Sequence, residues 1–279
     1  MEIESLIQNT SCDTVYDYSI TDEKEALKVA QEALQYKLFN KAPVPFPEPL
    51  IPKFTFIDLF AGIGGFRVAM QSLGGKCVFT SEWDEKSQLT YKANFGDAPF
   101  GDITKEVTKH YIPDNFDVLC AGFPCQAFSI AGRRGGFDDT RGTLFFEVAE
   151  IIRRKKPKAI FLENVKGLIN HGQGKTLATI LNVLRNDLGY FVPEPQILNA
   201  KNFGVPQNRE RIFIVGFRND LEITDFDYPK PINKKVSFID VREEKTVPSK
   251  YYLSNQYLNT LINHKDAVWC RAQSPGEIT

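Results

Sequence analysis

The chain has 279 residues, 42% hydrophobic and 25% charged, with a formal net charge of -1. This length and balance describe one large globular domain, or one domain with extras, able to bury a substantial core. They exclude a globally basic nucleic-acid binder, so any contact with nucleic acid must use a local patch. Five cysteines (Cys12, Cys77, Cys120, Cys125 and Cys270) are scattered without a C-x-x-C pair. That pattern argues against a disulfide scaffold or a zinc site and for a reducing compartment. The start, Met1 to Ser5, lacks the basic and apolar regions of a secretory signal. No run approaches the roughly 18 apolar residues of a membrane span. The expectation is a cytoplasmic protein with no metal and no membrane partner.

In chain order, Thr21 to Glu25 opens a helix, with Thr21 as N-cap and Ala26, Val29, Ala30, Ala33 and Leu34 as its apolar stripe. Ala42 to Pro49 reads as a stiff extended linker. The plain reading of this region is a dispensable surface arm. From Lys53 the pattern becomes strand, loop, helix, repeated. Phe54 to Phe60 predicts a strand, and Phe66, Ala69, Met70 and Leu73 follow at helical spacing. Lys76–Ser81 and Phe116–Ala121 predict further strands, Thr143–Arg154 a helix, and Lys158–Leu162 a strand. Leu177, Ile180, Leu181 and Leu184 form one face of a helix over Thr176–Asp187, and Arg211–Phe217 closes the series as a strand. Such alternation predicts an α/β fold: a doubly wound, mostly parallel sheet with helices on both faces. Ligands of such sheets bind at the carboxyl ends of the strands.

Between the first strand and helix stands Ala61-Gly62-Ile63-Gly64-Gly65-Phe66. A dinucleotide fingerprint would need a third glycine at position 67, where Arg67 stands instead. The turn is therefore either a structural tight turn or a ligand loop. Glu82 ends the second strand, where a carboxylate can accept hydrogen bonds from a ribose diol. Trp83 can cover an adenine face, and Asp102 can receive an exocyclic amine. Each alone would more often be a solvated surface residue. Together they outline a nucleoside pocket, and without a pyrophosphate fingerprint S-adenosylmethionine fits better than NAD. In Gly122-Phe123-Pro124-Cys125-Gln126, Cys125 follows a strand and a stiffening proline, as a nucleophile would. Most cysteines are instead small buried hydrophobes. Cys120, inside the strand, is expected to be one.

With these segments in view, the chain resembles the DNA cytosine-5 methyltransferases. Asp58-Leu59-Phe60-Ala61-Gly62-Ile63-Gly64-Gly65 is similar to the family's cofactor loop, and Gly122–Gln126 to its nucleophile motif. Glu163-Asn164-Val165 and Gln207-Asn208-Arg209-Glu210-Arg211 are similar to two further catalytic motifs. The wording of Ala121–Ser129 and Asp139–Phe146 is close to bacterial restriction–modification enzymes, and Arg242–Pro248 and Tyr251–Ser254 resemble the subgroup that modifies CCGG.

The resemblance implies a Rossmann-like S-adenosylmethionine-dependent methyltransferase fold acting on double-stranded DNA, with a cognate restriction endonuclease as genetic partner. It implies Cys125, Glu163, Asn164, Arg209 and Arg211 as catalytic residues. Cys125 would add to C6 of a flipped-out cytosine, and Glu163, as a protonated acid, would bond N3. Asn164 would hold the local backbone, while Arg209 and Arg211 orient the base and Glu163. Asp58, Gly62, Gly64, Gly65, Ile103 and Pro124 join Glu82, Trp83 and Asp102 around the cofactor. Phe60 would pack on adenine and Leu144 line the methionine side. Ser129 to Gly142 would form a mobile lid, with Gln126, Ser129, Arg133, Arg134 and Arg141 as DNA contacts.

On this reading, 1–52 is an N-terminal arm and linker, 53–228 the catalytic domain, and 229–279 the start of a target-recognition region, cut short. The family's later R-x-x-T-x-R-E and G-N-S motifs have no counterpart after Arg218, so a complementing C-terminal polypeptide is a further expected partner. Two alternatives stand beside the DNA enzyme. One is a non-catalytic subunit needing a second chain, and the other an RNA cytosine-5 methyltransferase on the same scaffold.

Overall fold

The computed structural model of the protein describes residues 44–124, 144–232, 234, 236–244 and 248–263. The helix expected after Thr21 lies outside the described residues, as do Cys125, Gln126, Ser129, Arg133, Arg134 and Arg141. The chain divides into two units, Met1–Ile197 with Arg211–Tyr228, and Leu198–Glu210 with Pro229–Thr279.

The first unit is built on a sheet ordered β2-β1-β3-β4-β7-β5. Its strands are β1 (Phe54–Leu59), β2 (Gly75–Ser81), β3 (Val118–Ala121), β4 (Ala159–Val165), β5 (Tyr190–Phe191) and β7 (Glu210–Arg218), while β6 (Gln196–Asn199) lies off this path. β1 pairs in parallel with β2 and β3, and β3 with β4. β7 runs antiparallel to β4 and β5. The fold is the Rossmann-like, mostly parallel α/β arrangement.

Alternation along the strands divides the core between two faces. Ile57, Leu59, Leu119, Ala121, Ile160 and Leu162 join the larger cluster, with Phe145, Val148, Ala149 and Ile152 of α4 (Leu144–Lys155) and Ile180 of α5 (Lys175–Asn182). Phe56, Cys120 and Phe161 point the other way, toward Met70 of α1 (Gly65–Ser72). Arg153, Arg154 and Lys155 in the last turn of α4 face its negative dipole end. Two further helices are α2 (Glu85–Phe95) and the single turn α3 (Glu106–Lys109). α2 carries no apolar stripe and was not foreseen from periodicity. It is specified instead by its ends: Asp84 accepts from the Ser87 amide at 2.8 Å, and Gly96 closes the helix in the left-handed region.

The turn between β1 and α1 depends on glycine. Gly64 has φ of 97°, and a Cβ there would stand 2.1 Å from Phe95 Cε2. Gly64→Ala should therefore destabilise the protein by about 2 kcal/mol or more, from backbone strain and overpacking together. Denaturant unfolding measures the loss, and Gly62→Ala, with open space around the added methyl, should cost less.

Candidate functional site

β1 has β2 on one side and β3 on the other, all running in one direction, so the chain diverges at their carboxyl ends. Leu59 stands level with Ser81 and Ala121. A cavity of about 470 Å³ opens there, lined by Phe60, Glu82, Trp83, Asp102, Pro124 and Leu144 among others. Its size suits a nucleoside-containing ligand.

The walls follow from local bonding. Phe60 is a non-glycine residue with φ of 56°, held where the strand turns into the glycine loop. Glu82 Oε2 accepts from the Gly62 amide at 2.7 Å, while Oε1 accepts from the amides of Trp83 and Asp84 at 2.9 and 2.8 Å. One carboxylate thus joins the end of β2 to the glycine loop. Past α2, the chain returns beside β2: Phe100 donates to Thr80 O and Glu82 to Phe100 O, each at 2.8 Å. That bridge brings Gly101–Thr104 to the cavity, and Asp102 Oδ1 caps the Thr104 amide at 2.9 Å.

Of the residues expected around a cofactor, Phe60, Glu82, Trp83, Asp102, Ile103, Pro124 and Leu144 line the cavity. Asp58, Gly62, Gly64 and Gly65 do not; the glycines shape the loop behind it. Ser81, Gly101 and Thr104 also line it, beside the expected Glu82, Asp102 and Ile103, as does Gly122 of the segment similar to the nucleophile motif. The fit to S-adenosylmethionine is chemical: carboxylates of Glu82 and Asp102 for hydroxyl and amine donors, and the rings of Phe60 and Trp83 for a purine face. Trp83 is 76% exposed and so available to a ligand.

A second constellation stands at the ends of β3 and β4. Arg211 Nε lies 2.8 Å from Glu163 Oε1, and both side chains are partly buried. Glu163 pairs with Phe213, and Val165 with Arg211, across the antiparallel β4–β7 ladder. The two residues of this ion pair are therefore two positions apart in register. A Cβ on Gly122 would stand 3.5 Å from Glu163 Oε2, so the segment leading to Cys125 runs past this carboxylate. Asn164 is 2% exposed; its Nδ2 donates to Phe123 O and its Oδ1 accepts from the Val165 amide, each at 2.8 Å. It ties β4 to the backbone ahead of the thiol. Cys120 is fully buried, and burial pushes its thiol pKa well up, as suits a core residue.

In the second unit, Asn199 Oδ1 accepts from the amides of Lys201 and Arg209 at 3.2 and 3.1 Å, and its Nδ2 donates to Asn208 Oδ1 at 2.7 Å. Ala200 also donates to Arg209 O at 3.0 Å. Asn199 thereby anchors the backbone that carries Arg209, a role nothing in the local sequence signalled.

Comparisons with known proteins place the chain in a family. The sequence profile of the C-5 cytosine-specific DNA methylases matches residues 54–273. The chain belongs to that family. It is 70% identical over 236 residues to the type II methyltransferase M.HpaII of Haemophilus parainfluenzae, covering 85% of this chain and 65% of that protein. With M.HhaI of Haemophilus parahaemolyticus it shares 54% identity, over 63% of this chain and 53% of the relative. The chain thus spans between about half and two thirds of the length of these relatives. The crystal structure of S. pombe Dnmt2 methyltransferase matches with a TM-score of 0.54 at 18% identity, over 74% of this chain and 65% of that one, a likeness of fold. Among the described residues, no helix is long and apolar enough to cross a membrane, and no group of three or more metal-ligating side chains is present.

Asp58, which opens the family's loop motif, is fully buried, near the backbone and charge of Arg67. Burial pushes its pKa up to about 8, with the charge of Arg67 acting against the rise. The folded chain therefore holds a proton that the unfolded chain releases near pH 4, so Asp58 makes stability fall as pH rises from about 4 to about 8. Asp58→Asn should unfold at a higher temperature than the parent at pH 8. The two melting curves should converge near pH 4, and calorimetry at both values checks this.

Proposed function

We propose that the protein transfers the methyl group of S-adenosylmethionine to C5 of a cytosine in double-stranded DNA, as the modification partner of a restriction endonuclease. The reading rests on one observation above the others. The Glu163–Arg211 ion pair stands beside Gly122, three residues before Cys125, where the β3 end meets the nucleoside-sized cavity.

Cytosine C5 is a weak nucleophile until a thiolate adds at C6. Cys125 supplies that thiolate, and the electron pair passes into the ring toward C5. S-adenosylmethionine supplies an electrophilic methyl on a sulfonium. C5 would take that methyl as its bond to sulfur breaks and the neutral thioether leaves; loss of the C5 proton to solvent and expulsion of the Cys125 thiolate would then restore the aromatic ring. Glu163, oriented by Arg211 and protonated when the base is bound, donates to N3 and offsets the negative charge that thiolate addition sends into the ring. Asn164 holds the Phe123 carbonyl, and with it the approach of Cys125. Glu82 and Asp102 bind the ribose and the adenine amine, and Phe60 covers the adenine face. A stacked duplex hides C6, so the base leaves the helix to reach the thiol. Gln126, Ser129, Arg133, Arg134 and Arg141 are the candidate contacts to the DNA. CCGG is the target assigned, on the resemblance of Arg242–Pro248 and Tyr251–Ser254 to the subgroup that modifies it.

A CCGG duplex carrying 5-fluorocytosine should trap a covalent adduct in the presence of cofactor, because C5 then has no proton to lose. Cys125→Ser should form none. An adduct that survives in Cys125→Ser would assign the nucleophile elsewhere, and methyl transfer to RNA instead of DNA would move the substrate class.

The cofactor pocket has its own test. Glu82→Ala and Asp102→Ala should each weaken S-adenosylmethionine binding by about 1–3 kcal/mol in calorimetric titration, the scale of a hydrogen bond to a charged group. NAD should not compete.

A further inference from the structure

We propose that the segment Val44–Pro49 is a positioning element for the glycine loop of the cofactor cavity. Its proline-rich sequence reads as a dispensable linker, yet it is bonded to both helices that flank the loop. Phe46 N donates to Asn94 O at 3.1 Å. Gln71 Nε2 donates to the carbonyls of Phe46 and Pro47 at 3.1 and 2.9 Å. Glu48 meets Arg67 at 3.1 Å.

Two of these contacts lead on to the loop, through Asn94 and through Phe95. Asn94, bonded to Phe46 through its carbonyl, donates from its side chain to Ile63 O at 3.0 Å. The Phe46 ring stands 5.7 Å from that of Phe95, which is the surface against which Gly64 has no room for a Cβ. Arg67 also lies over the Phe95 ring, with Cζ 4.7 Å from its centroid, and it donates from Nε to Gln71 Oε1 at 2.6 Å. Proline limits the conformations this segment can take when free, so docking costs less entropy than it would for an ordinary strand of chain. The result is a strap across α1 and α2 that holds Ile63 and Gly64, and through them the Gly62 amide that meets Glu82.

The inference rests on the cofactor assignment for its consequence but not for its geometry. Two readouts separate them: affinity for S-adenosylmethionine, and amide hydrogen exchange of Gly62 and Gly64 in the free 279-residue chain. Phe46→Ala and Glu48→Ala should speed exchange at both glycines about tenfold and weaken cofactor binding about three- to tenfold. Exchange in β3 and β4 should stay at parent rates. Phe46→Leu, which keeps an apolar contact with Phe95, should recover most of the loss. Glu48 is a suitable site because Arg67 keeps Asp97 at 2.7 Å and Tyr91 Oη at 3.2 Å, so no buried cation is left unpaired. Leu50→Ala, 84% exposed in the parent, serves as control and should match it.

Unchanged exchange at Gly62 and Gly64 in both variants would overturn the proposal, as would exchange that rises equally throughout the sheet. If the parent fails to bind S-adenosylmethionine while the variants still loosen the two glycines, the strap stands and the cofactor assignment falls.

Discussion

The site depends on one constraint, the parallel pairing of β1 with a neighbour on each side. Level ends at Leu59, Ser81 and Ala121 oblige three connections to leave from one edge. Two of them turn away from each other, and the gap between them is the cavity. No residue in that gap needs to be near another in sequence. Phe60, Glu82, Asp102 and Pro124 meet because the ladder is parallel, and a shift of one residue would turn each strand's side chains to the opposite face.

Arg67 shows how the same frame tolerates a departure from the dinucleotide pattern. A third glycine at that position would allow close approach of helix and strand. Here a guanidinium is buried against Tyr91 and Phe95, with Glu48 and Asp97 as counter-ions. Burial alone would lower its pKa, but the surrounding Tyr91, Cys77 and Asp97 hold it above the ordinary arginine value. A buried pair of this kind adds little net stability, while loss of its partners is costly. The cluster therefore acts as a geometric lock between α1, α2 and the strap.

The ends of β3 and β4 are built on a different device. β7 runs antiparallel to β4, which brings Arg211 to the end of the strand that carries Glu163. The ion pair is partly exposed, so its direct contribution to stability is small. Its value is orientation. Asn164, one residue on, faces the other way and binds the Phe123 carbonyl. Two adjacent residues of β4 thus hold the ion pair with Arg211 on one side and the backbone ahead of Cys125 on the other.

Local pattern by itself determined β1, β3, α4 and the α/β class, because period-two and period-3.6 apolar repeats are properties of neighbouring residues. It also brought out Glu82, at the end of the second apolar strand, and Asp102, whereas Glu163 was legible only through the resemblance to the cytosine-5 methyltransferases. It determined neither α2, whose apolar residues form no stripe, nor the short pairing of β5 with β7. Arg67 read only as a missing glycine, and Val44–Pro49 only as a linker. Tertiary structure decided these, as it decided the burial of Asp58, the anchoring of Arg209 by Asn199 and the contact of Gly64 with Phe95. Each depends on a partner far away in sequence, and the energy of such a contact exists only once the sheet has brought the two segments together.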